Sequence, residues 1–379
     1  MNALKLPAPI LVSRPSDLKQ MAYTLAQEPI IAVDTESNSL YVYREQVCLI
    51  QFSTPNSDFL VDPLALDDLS PLAPIFSSPE IEKVFHAAEY DLLCMKRDFG
   101  FEFSNLFDTM IAARTLGREA VGLGAMLETE FGIQVDKRHQ RADWGQRPLP
   151  SYLLSYAQLD THYLIPLRAR LRLVLKERGL WPLAQEDFNR ISMVNGRSPE
   201  DKADDCWRVS GSYDLPHQKA AVLQELCRYR DKIARSTNRP LFKVLNDGTL
   251  LAIANECPND LNSLKRIPGM TPGQIERHGK ALLAAVQRGL RAEPVSPPRT
   301  PRPNEPFLER VEALRNWRKT TAQDMGVKSD VILPRDLLIA LAEHNPRTPD
   351  ELKPLMSSVP WRLEHFGGQI LIVLKESHF

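Results

Sequence analysis

The sequence predicts an α/β or α+β domain that ends near residue 200, followed by an all-α half. Three observations carry this. Short β-branched runs crowd the first ninety residues, helical periodicity takes over after Phe85, and no convincing strand occurs beyond residue 215. A chain of 379 residues also exceeds the size at which one hydrophobic core usually stops growing, so two or three domains are expected.

The strands are read at Ile10–Val12, Ile30–Val33, Val47–Phe52, Phe59–Val61 and Lys83–Phe85, each bounded by turn-forming residues. Ser16 reads as the N-cap of a helix that puts Leu18, Met21, Ala22 and Leu25 on one face. Further helices are expected over Tyr90–Phe99, Thr109–Leu116, Leu123–Phe131 and, as one long element, Ser151–Arg178. In the second half, Asn246-Asp247-Gly248, Pro268-Gly269 and Pro272-Gly273 mark turns between helices. The stretch from Glu293 to Pro306 holds six prolines and reads as a semi-rigid linker.

The segments on either side of that linker are weak copies of one another. Leu223-Gln-Glu-Leu-Cys-Arg-Tyr-Arg aligns with Val311-Glu-Ala-Leu-Arg-Asn-Trp-Arg, and Asn246 to Ala254 aligns with Pro334 to Ala342. A duplicated helical module of about eighty residues explains this, with each copy near the lower size limit for folding alone. The resulting boundaries are 1–205 for the first domain, 206–293 for the first module, 294–306 for the linker and 307–379 for the second module.

Composition excludes several classes. With 43% hydrophobic and 25% charged residues the chain sits at the globular average. No apolar run is long enough for a membrane span, and the first residues lack a signal peptide's apolar core, so a cytoplasmic location and no membrane partner are expected. The five cysteines are scattered and form no CxxC pair, which argues against a disulfide framework or a structural zinc. Net charge is only −1, but it is segregated: residues 215–294 carry thirteen Lys/Arg against seven Asp/Glu, a net +6, which leaves −7 for the rest. A basic segment could meet phosphate while an acidic one holds cations.

Three motifs carry chemistry. Asp34 and Glu36, in Ile31-Ala-Val-Asp-Thr-Glu, end an apolar strand two residues apart and therefore share a face. Two neighbouring carboxylates resist ionisation unless a cation sits between them, whereas an exposed strand end would leave them merely solvated. Asp91 follows the strand at Phe85 and opens a helix, where a carboxylate would also complement the helix dipole. Tyr156 and Asp160, four residues apart, lie on one helical face. Together they supply what a two-metal hydrolytic site needs: several carboxylates from separate elements and a group to orient water. Oxygen ligands without histidine suit Mg2+ or Mn2+.

These residues resemble the tyrosine-type DEDD exonuclease family, and the intervening text is similar to its ribonuclease D branch. The supporting segments are Val47 to Ser53, Phe107 to Gly117, and Asp136 to Leu149 with Trp144 and Arg147. The two helical modules resemble helicase-and-ribonuclease-D C-terminal (HRDC) domains. The likeness implies a ribonuclease H-like α/β exonuclease domain, a mixed sheet with flanking helices, followed by two all-α HRDC helical-bundle domains. It further implies a metal-dependent 3′→5′ exoribonuclease in which Asp34, Glu36, Asp91 and Asp160 hold two divalent ions and Tyr156 positions water. The expected substrate is structured RNA with a free 3′ tail, such as a transfer-RNA precursor, and no obligate protein partner is evident.

By position, Gln51, Phe52, His86 and Arg147 are candidate contacts for the RNA. The Lys137-Arg138-His139 run with Arg141 and Trp144, and the cluster Arg228, Arg230, Lys232, Arg235, Arg239 and Lys243 with Tyr229, have a fitting composition. Two rival readings are a non-catalytic RNA-binding scaffold and a DNA 3′→5′ exonuclease of the same chemistry. No GxxxxGK[ST] motif occurs, which excludes a P-loop motor in the same chain.

Overall fold

The structure, a computed structural model, describes residues 6–194, 206–298 and 304–377. Its described residues divide into two compact units. One comprises Met1–Ser37, Val47–Gly196 and Arg302–Phe379, and the other Asn38–Gln46 and Arg197–Pro301.

The first unit opens with β1 (Ile10–Val12), α1 (Pro15–Ala26), β2 (Ile30–Ser37), β3 (Val47–Ser53) and β4 (Asp58–Val61). It continues through α2 (Ala73–Ser77), β5 (Glu82–Phe85), α3 (Glu89–Phe99), β6 (Leu106–Asp108), α4 (Thr109–Thr115) and α5 (Leu123–Phe131). Then come α6 (Ser151–His162), α7 (Leu164–Glu177) and α8 (Trp181–Ser192). The strands form one mixed sheet in the order β1-β4-β3-β2-β5-β6. β3 runs antiparallel to β2 and β4, while β5 is parallel to β2 and β6.

Strand periodicity sorts the sheet's two faces. Ile31, Val33, Ile50, Phe52 and Phe85 pack with Leu18, Leu25, Phe76 and Met95 beneath one face. Ala32, Val84 and Phe107 face the other way, onto Leu167, Leu171, Leu183 and Phe188. Asp34 and Glu36 continue the Ala32 series and so rise from this second face.

Several expectations need correction. The first helix starts at Pro15 with Arg14 as its N-cap, because proline suits the first helical position, and the Ser16 hydroxyl bonds Asp17 instead. The segment read as one helix from Ser151 to Arg178 is two, broken at Tyr163. Pro166 has no N–H to offer the His162 carbonyl four residues back, and His162 is where α6 ends. The three-residue β6 and the amphipathic α8 were not anticipated.

The second helical module belongs to this same unit. It consists of α14 (Glu305–Met325), α15 (Ser329–Ile332), α16 (Arg335–His344), α17 (Pro349–Leu355) and α18 (Pro360–Glu376), numbered after the five helices of the first module. Its Leu338, Leu341, Ile370 and Leu374 join the core of α7 and α8. Arg362, fully buried, donates to Glu186 and to Asp187 at 2.8 Å each and to the Val331 carbonyl at 2.7 Å. The Glu186 carboxylate in turn accepts the Trp361 and Arg362 backbone N–H groups, which are orphaned at the start of α18.

The other unit repeats the pattern with α9 (His217–Ser236), α10 (Leu241–Val244), α11 (Asp247–Glu256), α12 (Leu261–Lys265) and α13 (Pro272–Arg291). The duplication reaches individual bonds: Arg230 of α9 donates to the Leu245 carbonyl as Arg318 of α14 does to that of Leu333. Both Cys257 and Asn345 close their helices in the left-handed region. Where α13 crosses α9, Gly289 lies against the Val222 backbone, and a Cβ there would come within 2.4 Å. The Asn38–Gln46 segment belongs to this unit, with the Tyr43 hydroxyl donating to Asp231 at 2.5 Å. Of the proline-rich stretch, residues 299–303 lie outside the described residues, and α14 begins at Glu305 within its expected span.

Candidate active site

The site lies where β2 runs out under α6. The carboxylates of Asp34, Glu36 and Asp160 converge, each offering an oxygen within 4.8 Å of the others. Asp91 enters from the first turn of α3 and accepts a hydrogen bond from Thr35 of β2, so one strand fixes three of the four acids. Among the described residues no cationic side chain pairs with any of the four.

That absence shows in their ionisation. Burial, then the charges of Asp91, Asp160 and Glu36, push Asp34 well above the ordinary carboxylate range. Glu36 is raised by burial and by Asp160 and Asp91. Asp91 is pushed up to about 7 by burial, partly offset by the Thr35 bond, and Asp160 to about 8 by burial and Asp91. Four acids that cannot all ionise together, arranged as oxygen donors without nitrogen or sulfur, fit a hard divalent cation.

Tyr156 is buried over the cluster, and burial together with Asp160, Glu36 and Asp34 drives its phenol upward. The Gln140 side chain hydrogen-bonds it, and the His139 ring stands edge-on at 5.7 Å. At neutral pH the phenol keeps its proton, so it can orient a water by hydrogen bonding but is a poor base.

The other candidates separate. Gln51 lies directly across from Asp34 on β3 and shares its face, and its fully buried amide has no hydrogen-bond partner among the described residues. His86 donates from Nδ1 to the Thr109 hydroxyl at 2.8 Å, since that hydroxyl's proton goes to the Phe85 carbonyl, and burial lowers its pKa, leaving it neutral. Phe52 does not join the site. One residue on from Gln51, it points through the opposite face into the core, its ring 5.8 Å from Phe76. Arg147 is committed elsewhere too, to both Asp62 oxygens at 2.7 Å and to the carbonyl of Cys48 at 2.7 Å. Trp144 is buried against Tyr156, and Arg138 is paired with Asp136, so neither matches the expected free RNA contact.

In the first module the basic cluster is likewise partly consumed. Arg230 is buried on Asp247, Arg228 and Arg288 share Glu225, and Arg235 lies over the Tyr43 ring. Sequence reasoning missed Asp108. Its fully buried carboxylate accepts the N–H groups of Met110 and Ile111 at the start of α4 and that of Ala88 at 2.7 Å. It thereby holds the turn in which Ala87 adopts φ +63° just ahead of Asp91. An Asp immediately before a helical run is a cap signal, and that was the available clue.

Residues 9–176 match the family model described as 3′-5′ exonuclease, and residues 219–286 and 307–374 each match the HRDC domain. The chain is similar to ribonuclease D of Nitrobacter hamburgensis, 29% identical over 366 residues that span 95% of this chain and 94% of that protein. It is 30% identical over 334 residues to Protein RRP6-like 1 of Arabidopsis thaliana, covering 85% of this chain but only half of that longer protein. Among solved structures it resembles the Escherichia coli RNase D, an exoribonuclease involved in structured RNA processing, at a TM-score of 0.70 and 27% identity over 97% of this chain and 99% of that one.

Proposed function

The chain belongs to the ribonuclease D family of 3′→5′ exoribonucleases, and from that membership we propose that it trims structured RNA such as transfer-RNA precursors one nucleotide at a time in the cytoplasm. Asp34, Glu36, Asp91 and Asp160 hold two divalent ions, Mg2+ or Mn2+, and Tyr156 completes the catalytic set. The observation that carries the assignment is the convergence of three carboxylates within 4.8 Å without a cationic partner.

When bound, such ions supply the charge that activates water and stabilises the departing oxygen. Water attacks the phosphorus of the last phosphodiester, the bond from phosphorus to the preceding 3′-oxygen breaks, and that oxygen gains a proton. The products are a nucleoside 5′-monophosphate and an RNA shorter by one with a free 3′-hydroxyl. Tyr156, protonated, holds the attacking water in line. Gln51 and the neutral His86 are the side chains we assign to the terminal nucleotide. We take 1–205 as the exonuclease domain, 206–293 and 307–379 as the HRDC domains and 294–306 as their linker.

A time course on a 3′-extended transfer-RNA precursor labelled at its 5′ end, with a matched DNA strand alongside, tests this. Stepwise shortening by wild type that is lost in Asp34→Ala and in chelator is the expected result. RNA binding without shortening would favour a scaffold, and preferential shortening of DNA would overturn the substrate.

A further inference from the structure

Helix α6 does two jobs on two flanks. Leu153 and Ala157, both fully buried, face the sheet and pack with Cys48, Leu49 and Leu60. Helical spacing places Tyr156 and Asp160 on one side of that line and Gln158, Thr161 and His162 on the other. The second flank meets Asp58, which stands opposite Ser53 where β3 and β4 pair. Asp58 accepts hydrogen bonds from the Ser53 hydroxyl at 2.6 Å, the Gln158 amide at 2.7 Å and His162 Nδ1 at 2.9 Å. The Ser53 hydroxyl has a single proton and gives it to the carboxylate, so at 2.7 Å from Thr161 it must receive the Thr161 proton. The Asp58 carboxyl is held below its usual range by His162, Gln158 and Ser53 against the opposing effect of burial, so it is ionised and can accept from all three.

We propose that Asp58 is a positioning residue for hydrolysis, the anchor that sets the rotation and height of α6 so that Tyr156 and Asp160 meet the β2 acids. The proposal rests on the roles given above to Tyr156 and Asp160. Helix α6 needs such an anchor. It is twelve residues long and is broken from α7 at Tyr163, so the longer helix cannot fix its rotation. Three of the last five side chains of α6 bind this one cluster, interleaved with Asp160. A turn of the helix large enough to loosen the cluster would carry the carboxylate and the phenol with it. Gln158 also donates to the Pro7 carbonyl at 2.7 Å, a second tie on the same flank.

The test compares the full-length wild type with Asp58→Ala, Asp58→Asn and Thr161→Val, measuring kcat and KM on RNA, Mn2+ affinity by calorimetry and melting temperature. Misplacing catalytic groups by about 1 Å costs roughly 100-fold, so Asp58→Ala is expected to lose about that in kcat with KM nearly unchanged and with weakened Mn2+ binding. Asp58→Asn keeps the shape: with its oxygen toward Gln158 and His162, its N–H reaches the Ser53 hydroxyl, which turns its own proton to Thr161, so it recovers most of the loss. If Asp58→Ala does not fold, Thr161→Val reads the same tie with a smaller fall in kcat. Placing Asp58→Ala in a Tyr156→Phe background separates the two assignments, because groups that act through one another are not additive. The proposal predicts a further loss there that is smaller than the loss Asp58→Ala causes alone, because the part carried by Tyr156 is already gone and only the displacement of Asp160 is still felt. It is overturned if the Asp58 and Thr161 variants keep wild-type kcat and Mn2+ affinity, or if their loss multiplies in full with that of Tyr156→Phe. Loss in Asp58→Ala with full activity in Tyr156→Phe and Asp160→Asn would also overturn it, since Asp58 would then act through something else.

Discussion

Two sets of buried and half-buried acids lie in one unit of this protein, and they differ in where their counter-charge comes from. Glu186 and Asp187 on α8 face a fully buried Arg362, whose remaining donors go to the carbonyls of Val331 and Ile332. Asp34, Glu36, Asp91 and Asp160 face each other. In the first set the chain supplies the cation and the acids act as a latch between the α/β layer and the second helical module. In the second the chain leaves the charge uncompensated, raising every carboxyl. Such a cluster is destabilising on its own, and a bound cation would relieve it.

The largest break in this comparison comes from removing one charge from each set. On the proposed role of Asp34 as a metal ligand, worth several kcal/mol in the transition state, Asp34→Asn should lower turnover by about 1,000-fold or more. Its melting temperature in chelator should equal or exceed that of wild type, because a repulsion is relieved. Arg362→Ala should behave oppositely. Unfolding free energy drops by about 3–5 kcal/mol as two buried acids lose their partner, while turnover per folded molecule stays close to wild type. Denaturant melts and single-turnover assays on both variants would read this crossing. Tyr156→Phe should lower kcat by about 100-fold while cation binding, followed by calorimetry, is retained.

The smallest effect is one of pH. A carboxyl whose folded pKa is raised binds its proton more tightly in the native state than in the unfolded chain. It therefore stabilises the fold at low pH and loses that contribution as pH rises through the window between the two values. With Asp91 at about 7 and Asp160 at about 8, against about 4 when unfolded, the cation-free protein should lose melting temperature between pH 4 and 8. Saturating Mg2+ should flatten that slope by replacing the protons. Each kcal/mol corresponds to about 2–4 °C in a domain of this size. Asp34→Asn should show a shallower slope than wild type in chelator.

Much of the acidic set was legible in the sequence because its spacing is local. Two residues apart on a strand and four apart on a helix fix a shared face wherever the elements end up, so Asp34 with Glu36 and Tyr156 with Asp160 could be paired before any fold was known. The same rule, applied to β3, would have removed Phe52, since Gln51 and Phe52 cannot both face the acids. Arg147 could not be read in this way. Its partner Asp62 is 85 residues distant, and nothing in either segment marks the pairing. The Arg362 latch was hidden for the same reason, being long-range and carried by α8, which lies beyond the helix read to end at Arg178 and was not anticipated. The module repeat was readable because duplication preserves order, down to Arg230 and Arg318, although the basic excess of the first copy overstated the charge left free for phosphate.

The most direct test is calorimetric titration of the chelator-treated protein with Mn2+ at pH 7.5, comparing wild type, Asp34→Asn and Arg362→Ala at a temperature where all three are folded. Binding to wild type and to Arg362→Ala, with release of protons, and its loss in Asp34→Asn is the predicted result. Wild type that takes up no cation, or an Asp34→Asn variant that binds as wild type does, would contradict the account that the four acids await a metal.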